Sequence, residues 1–372
     1  MDRLGTRKKD IKMAKILILA NNDIGLYKFR KELIQELIKQ GNEVYISHPY
    51  GEMVQLLTDL GCTYVNTDID RRGINPLTDV RLLLHYYKII KNKKPDMVIT
   101  YTIKPNIYGG FVSRFTKTSY AINITGLGTA FQREGLFKRL IVYLYKISCK
   151  KAKVVFFENE ENQRIFINSK IVKRENTCLL NGAGVNLDEY KFCEYPDSNE
   201  NIQFLFIGRI MKEKGLDELL DAAKKIKKEF DNVSFDIVGP LEEDYINIIN
   251  EFQEKRIINY YGYQTSVKPF IQNTHCFVLP SYHEGMANTL LESGAMGRPI
   301  ITSDIHGCKE AVIDGETGYL VKARDSDDLY RKMKQFICLK HEEKVGMGIK
   351  SFVHIKETFD RKKVVATTLH KL

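Results

Sequence analysis

The sequence predicts an α/β protein of two doubly wound parallel-sheet domains that face each other across a cleft. Three observations carry this. The 372 residues suffice for two domains at roughly 100–200 residues each. Short apolar runs alternate with amphipathic helical stretches, the rhythm of consecutive βαβ units. That rhythm runs through once, meets a polar stretch at 194–201, and starts again.

In the first series, residues 14–20 (AKILILA) read as a buried parallel strand. Residues 21–26 read as a loop holding Gly25, and 28–40 as an amphipathic helix closed by Gly41. A strand follows at 43–48, a helix at 53–60 closed by Gly61, and a strand at 63–66. Residues 76–93 read as a long helix opened by a proline, and 96–101 as a strand after Pro95. In the second series, 203–207 is a strand ending at Gly208, 216–230 a helix, and 234–238 a strand ending at Gly239. Then come a helix at 244–255, strands at 257–261 and 276–279, a helix at 288–296 and a strand at 299–302. The expected layout is a tail at 1–12, Rossmann-like domains at 13–195 and 196–355, and a segment 356–372 packing back on the first domain. In open sheets of this kind ligands sit outside the carboxyl ends of the strands, so the cleft is the expected site.

Composition narrows the class. At 43% hydrophobic and 28% charged the chain matches an ordinary globular protein. The seven cysteines show no CxxC pair and no zinc spacing, and read as reduced core residues of a cytoplasmic protein. No signal peptide is expected, Met13 competes with Met1 as the start, and no stretch reaches the ~18 apolar residues of a transmembrane helix. Charge is unevenly spread. Residues 1–150 hold 25 Lys and Arg against 13 Asp and Glu, whereas the remainder holds 32 against 34. A basic first half points to an anionic partner: nucleic acid, an anionic membrane surface, or a diphosphate-bearing acceptor. Residues 138–153 (KRLIVYLYKISCKKAK) combine an apolar run with six basic residues. They read as a core helix with solvated ends or as an interfacial helix on anionic lipid.

Two segments of the second half carry chemistry. In 281–293 (SYHEGMANTLLES) a strand gives way to a loop holding Glu284 and Gly285, then to a helix starting near Asn288. The free N–H groups of Ala287 to Leu290 favour an anion such as phosphate. Glu292, one turn inside the helix, suits the hydroxyls of a ribose. In 208–215 (GRIMKEKG) a strand also ends in a loop before a helix. Its Arg209 and Lys214 can clamp a pyrophosphate, arginine through its planar fork and lysine as a point charge. A loop acid with a helix-surface acid, and a solvated basic loop, are the plain alternatives.

These segments closely resemble glycosyltransferase family 4, which has the GT-B fold. The resemblance covers about 15–359 and is most specific in GRIMKEKG (208–215), FVLPSYHEGMANTLLE (277–292) and GRPIITSDIHGCKE (297–310). TYTIKPNIYGG (100–110) and NITGLGTAF (123–131) are similar to its lipopolysaccharide and capsule branch. The resemblance implies that Arg209 and Lys214 bind the donor diphosphate and Glu292 the ribose, with Glu284 facing the transferred sugar. Main-chain groups at Gly285, Met286, Ala287, Asn288, Thr289 and Leu290 would hold phosphate and sugar hydroxyls. Gly208 closes the strand before Arg209, the region of Tyr263 would hold the base, and Gly25 would lie against the diphosphate from the first domain. Many family members carry a histidine in the first domain near the donor sugar; the matching loop here reads Thr125-Gly126-Leu127-Gly128. That leaves Asp23, Lys104 and Thr125 as acceptor-side candidates, although 104–106 also reads as a simple turn.

Asp68-Ile69-Asp70 imitates a metal-binding DxD, but far from GRIMKEKG; no metal and no cofactor are expected. His283 adjoins Glu284 and reads as a loop-orienting residue, while His85 and His306 have no partners recognisable from the sequence. The expected activity is retaining, metal-independent sugar transfer from a UDP-sugar to a polyprenyl-diphosphate-linked saccharide, for bacterial surface glycan, at the inner face of the cytoplasmic membrane. Two other classes compete: a nucleotide-sugar epimerase on the same fold, and a basic nucleic-acid-binding protein. No nucleic-acid-binding module is recognisable, which disfavours the last.

Overall fold

The computed structural model describes residues 13–69, 75–127, 131, 135–197 and 201–372. Contacts divide the chain into two compact units: 1–157 with 162–179 and 367–372, and 158–161 with 180–366.

The first unit is built on seven parallel strands, β1 (Lys15–Leu19), β2 (Glu43–His48), β3 (Thr63–Asn66), β4 (Met97–Tyr101), β5 (Ser119–Ile124), β6 (Val154–Phe157) and β7 (Thr177–Leu179). They lie in the order β3-β2-β1-β4-β5-β6-β7. The connecting helices are α1 (Asp23–Lys39), α2 (Val54–Asp59), α3 (Pro76–Lys93), α4 (Gly110–Thr116), α5 (Leu136–Cys149) and α6 (Glu160–Asn168). The central strands are covered on both faces, so β1 and β6 read as nearly continuous Val, Ile, Leu and Phe, and β4 and β5 keep buried Val, Ile, Tyr and Ala beside the buried polar Thr100 and Asn123.

The second unit holds six parallel strands, β8 (Ile202–Ile207), β9 (Val233–Val238), β10 (Asn259–Tyr260), β11 (Cys276–Leu279), β12 (Ile300–Ser303) and β13 (Gly318–Val321), in the order β10-β9-β8-β11-β12-β13. Its helices are α7 (Leu216–Lys227), α8 (Ile246–Glu254), α9 (Lys268–Asn273), α10 (Asn288–Ala295), α11 (Ser326–Ile337) and α12 (His341–Phe359). A last helix, α13 (Arg361–Lys371), runs across the contact-based division between the units.

Each sheet has one place where the strand order reverses, between β1 and β4 and between β8 and β11. At such a point the two flanking crossovers leave in opposite directions and open a crevice at the strand ends. In the second unit the two loops that flank it are those after β8 and β11, which carry Arg209 and Glu284.

The strand readings hold to within a residue or two, and the start of α1 does not. It begins at Asp23, five residues ahead of the expected 28, so most of the loop expected at 21–26 is helical. The side chain of Asn22 accepts the Gly25 N–H at 2.6 Å and so supplies an N-cap, with Asp23 in the first turn favoured by the helix dipole. Gly25, a poor helix former, masked that signal. The turn expected at 104–106 is likewise the start of a π-helix, Pro105–Gly109, which leads into α4. Buried Asn106 sits within it, taking the Thr100 hydroxyl at 2.7 Å and donating to the Asn123 carbonyl at 2.8 Å, which ties it to the ends of β4 and β5.

The second unit takes in residues 180–195, which the sequence assigned to the first. Arg298 supplies the physical reason. Its fully buried guanidinium donates to the carbonyls of Ile271 and Gln272 at the end of α9 and to the carbonyl of Glu194 at 2.8 Å. Val185 and Arg361 add reciprocal contacts, with Arg361 donating to the Gly184 carbonyl at 2.9 Å.

Candidate functional site

The loop after β8 is shaped by close main-chain approaches. A short 3-10 helix, Lys212–Lys214, ends at Gly215 (φ 72°), and a Cβ there would lie 2.0 Å from the Pro280 carbonyl oxygen. Only glycine allows the loops after β8 and β11 to meet in this way. The Tyr282 N–H donates to the Glu213 carbonyl at 2.9 Å and fastens the same two loops again. Lys214 is thereby carried to Glu284: its ammonium donates to Glu284 Oε1, and both side chains are largely buried. Ser281 donates its hydroxyl to the same oxygen at 2.9 Å. Lys214 spends one of three donors on this pair, so it can hold a second anion at once. Arg209 is more open, half exposed, with Glu242 at 3.8 Å. Gly208 bonds the Val238 carbonyl at 3.0 Å.

α10 starts at Asn288, three residues beyond Gly285. It has no side-chain cap and no acidic residue in its first turn. The expectation that Ala287 to Leu290 all keep free N–H groups is corrected here. Ala287 donates to the Gly307 carbonyl at 2.9 Å and Leu290 to the Ala287 carbonyl at 3.1 Å. The N–H groups of Gly285, Met286, Asn288 and Thr289 have no acceptor among the described residues. Two buried polar atoms beside them, Asn288 Oδ1 and His283 Nε2, also lack a partner there. Unpaired buried polar atoms cost free energy, so a cluster of them at a strand-end crevice fits a polar ligand. A carboxylate-held lysine, an open arginine and unspent N–H groups together fit an anion.

Glu292 lies on α10, and the Tyr190 hydroxyl bonds it. Burial, and then that carboxylate, push the Tyr190 pKa well up, so the phenol stays protonated. Tyr263 is half exposed beyond β10, just after Gly262, whose carbonyl takes the Gly239 N–H at 2.8 Å. The His306 ring bonds Glu310 at 2.9 Å, and Glu310 also accepts the Gly307 N–H at 2.8 Å, so His306 does have a partner. Gly307 (φ 88°) passes so close to the loop that a Cβ there would lie 2.7 Å from both the Glu284 and Gly285 carbonyl oxygens.

In the first unit the candidates lie apart in function. Gly25 is not in a loop, and its N–H is taken by Asn22. Asp23 is buried and its carboxylate accepts from the N–H groups of Ile24 at 2.9 Å and Met53 at 2.7 Å, fixing the loop before α2. Lys104 pairs with Asp79 at 2.7 Å. Thr125 is half-buried just past β5. His85, read from the sequence as lacking a partner, bonds the Thr67 hydroxyl at 3.0 Å and the Asn66 carbonyl at 3.1 Å. Asp70 and Gly128 lie outside the described residues. Among the described residues no three His, Cys, Asp or Glu gather as a metal-binding group.

Sequence reasoning passed over Ser281, Gly307 and Tyr190. The first two stand inside the motif stretches it quoted, where a hydroxyl three residues before Glu284 and a glycine before a cysteine were the available signals. Asn159, whose side chain reaches the Gly285 carbonyl, carried no signal at all.

Comparison with known proteins places the chain in a family. The family model of the group 1 glycosyl transferases matches residues 191–348, and the glycosyl transferase 4-like model matches 15–159. The chain is 28% identical over 352 residues to N,N'-diacetylbacillosaminyl-diphospho-undecaprenol alpha-1,3-N-acetylgalactosaminyltransferase of Campylobacter jejuni, covering 90% of this chain and 92% of that one. It is 24% identical to UDP-Gal:alpha-D-GlcNAc-diphosphoundecaprenol alpha-1,3-galactosyltransferase of Escherichia coli, over 69% of this chain and 70% of that one. In fold it is similar to Anabaena HepE, solved with UDP and glucose, at TM-score 0.78 and 16% identity, covering 96% of this chain and all of that one (100%). The two matched halves, the two parallel sheets and the strand-end motifs therefore agree: the chain belongs to glycosyltransferase family 4 and has the GT-B fold.

Proposed function

We propose that this glycosyltransferase moves a sugar from a UDP-sugar to a polyprenyl-diphosphate-linked saccharide, with retention and without a metal ion, in bacterial surface glycan assembly. The observation that carries the donor half is the Lys214–Glu284 pair beside the uncapped start of α10. The leaving diphosphate gains negative charge as the glycosidic bond breaks. Arg209, Lys214 and the N–H groups of Asn288 and Thr289 are donors fixed in advance for that charge, which is the largest kind of contribution a site of this type makes. These cationic and N–H donors are the reason for proposing no divalent ion. Glu284 holds Lys214 in place and offers its other oxygen to a hydroxyl of the transferred sugar, and Glu292 with Tyr190 takes the ribose. Attack from the leaving-group face, with the departing phosphate oxygen receiving the acceptor proton, gives retention and needs no side-chain base.

The acceptor half rests on the relatives: the Campylobacter and Escherichia enzymes are by name transferases onto undecaprenyl-diphosphate-linked sugars. It rests also on the first domain, to which we assign acceptor and membrane binding. No described helix is long and apolar enough to cross a membrane. Yet α5 exposes Leu136, Phe137, Leu140 and Tyr143, and α4, which packs against it, exposes Phe115. By helical spacing Arg139, Lys146 and Lys150 flank this face, a pairing of apolar and basic groups suited to an anionic bilayer at the cytoplasmic side.

The test is transfer from a panel of UDP-, GDP- and ADP-sugars to a polyprenyl-diphosphate saccharide with EDTA present, for the parent and Glu292→Ala. One UDP-sugar should be used, EDTA should not matter, the product should keep the anomeric configuration, and the variant should lose activity. Transfer that needs added metal, inverts the sugar, or ignores Glu292 contradicts the reading.

A further inference from the structure

We propose that Asn159 is a positioning residue for the donor: its side-chain amide holds the main chain at Glu284–Gly285 so that the N–H groups of Gly285 and Met286 are turned toward the donor diphosphate. The inference rests on the donor site proposed above and adds a residue that neither motif contains. Asn159 belongs, by contacts, to the second unit, and it is buried. Its Nδ2 donates to the Gly285 carbonyl at 2.6 Å and lies 3.5 Å from the Glu284 carbonyl. Both neighbours are acceptors, so it is the NH2 and not the amide oxygen that faces them.

The consequence follows from peptide geometry. A trans peptide unit is planar, and its C=O and N–H point in opposite directions. Holding the Gly285 carbonyl therefore fixes where the Met286 N–H points, and holding the Glu284 carbonyl fixes the Gly285 N–H. Both N–H groups face away from Asn159, and neither has an acceptor among the described residues. The chain thus divides this loop: its carbonyls are satisfied by Asn159 on one side, and its N–H groups stay unspent on the other. Successive N–H groups on one side of a chain form a concavity for an anionic oxygen. Gly307 blocks the alternative. It lies against the same two carbonyls so closely that a Cβ would come within 2.7 Å, and its own carbonyl takes the Ala287 N–H at 2.9 Å. The carbonyl ends of both peptide planes lie between Asn159 and Gly307, and the next peptide is tied by the Ala287 N–H, so neither plane flips without losing the Asn159 contact.

The residue acts through the main chain, so its loss should be felt by the phosphates and not by the rest of the nucleotide. Calorimetric binding of UDP and of uridine, in EDTA, to the parent, Asn159→Ala, Asn159→Asp, Asn159→Ser and Lys214→Ala reads this directly. Asn159→Ala should weaken UDP about tenfold, the size of a lost hydrogen bond to a charged group, and leave uridine unchanged. Asn159→Asp, which sets a carboxylate against two carbonyls, should lose more, and Asn159→Ser, which keeps one donor, should recover part of the loss. Equal weakening of UDP and uridine in the Ala and Ser variants would make Asn159 a general structural residue and overturn the inference. Unchanged UDP binding in Asn159→Ala, with binding lost in Lys214→Ala, would overturn it while leaving the donor site standing. A parent that binds no UDP would overturn both.

Discussion

The two sheets reverse strand order in the same way, yet their reversal points differ in what they leave unspent. After β8 and β11, four main-chain N–H groups, Asn288 Oδ1 and His283 Nε2 have no partner among the described residues, and the nearby lysine is held by a carboxylate with donors to spare. After β1 and β4, main-chain N–H groups such as those of Asn22 and Asp23 also lack an acceptor among the described residues, but the polar side chains are spent on their own domain. Asn22 caps Gly25, Asp23 holds the loop before α2, and Lys104 is paired with Asp79. Among buried side-chain atoms Thr102 Oγ1, just after β4, is left without a partner, as is His48 Nε2 at the end of the neighbouring β2. The difference teaches that strand order alone does not make an anion site. The second point adds a buried, carboxylate-held lysine, to which we assign the donor diphosphate, whereas Lys104 at the first point is already paired with Asp79.

The largest effect should come from taking the lysine out of the charged point. Lys214→Ala removes a preorganised cation and leaves Glu284 with only Ser281, so turnover should drop about 10²–10³-fold, measured as initial rate at saturating acceptor. Matched Lys104→Ala in the first domain should change turnover far less. A comparable drop there would erase the contrast between the two points.

Next in size is the packing behind the loop that holds Glu284 and Gly285. Gly307→Ala introduces a methyl at φ 88° against two carbonyl oxygens, and should cost about 1–3 kcal/mol of stability by denaturant unfolding, with weakened donor binding. Normal stability with normal UDP binding would show that the loop does not need this grip.

Leu140→Glu addresses the helix surfaces. It should weaken binding to vesicles of anionic lipid about thirtyfold, because a leucine side chain inserted in the bilayer is worth about 2 kcal/mol. UDP affinity should not move. Unaltered vesicle binding would return α5 to a plain solvated helix.

The smallest effect concerns His48, at the end of β2. Burial lowers its pKa from the ordinary 6.5, against opposing contributions from the Pro49 carbonyl and Asp23. The unfolded chain takes up the proton before the folded one does, so stability is complete above about pH 6.5 and declines as pH falls below it. The acid limb of Tm against pH should flatten in His48→Gln; an identical slope would remove His48 from the account.

Much of this architecture was legible because parallel strands buried on both faces write unbroken apolar runs, and because glycine closes helices visibly at Gly41 and Gly61. Asn22 was missed as a cap because the glycine three residues on argued for a loop. The donor-side candidates stood out as charged residues placed just after strands. Glu284 and Lys214 could be named, but not that they would pair, since their contact depends on Gly215 letting two loops touch. The state of the helix start was overread: sequence gives four free N–H groups by rule, whereas Gly307 and the turn itself use two. Asn159 was invisible because its partner is a carbonyl 126 positions away, and a main-chain acceptor leaves no mark on the residue that supplies it.

The most direct measurement is UDP affinity in EDTA for the parent, Lys214→Ala and Lys104→Ala. The account predicts that the parent and Lys104→Ala bind alike and that Lys214→Ala binds at least about tenfold more weakly. Weakening by Lys104→Ala with Lys214→Ala unchanged would place the diphosphate in the other domain and contradict the central claim.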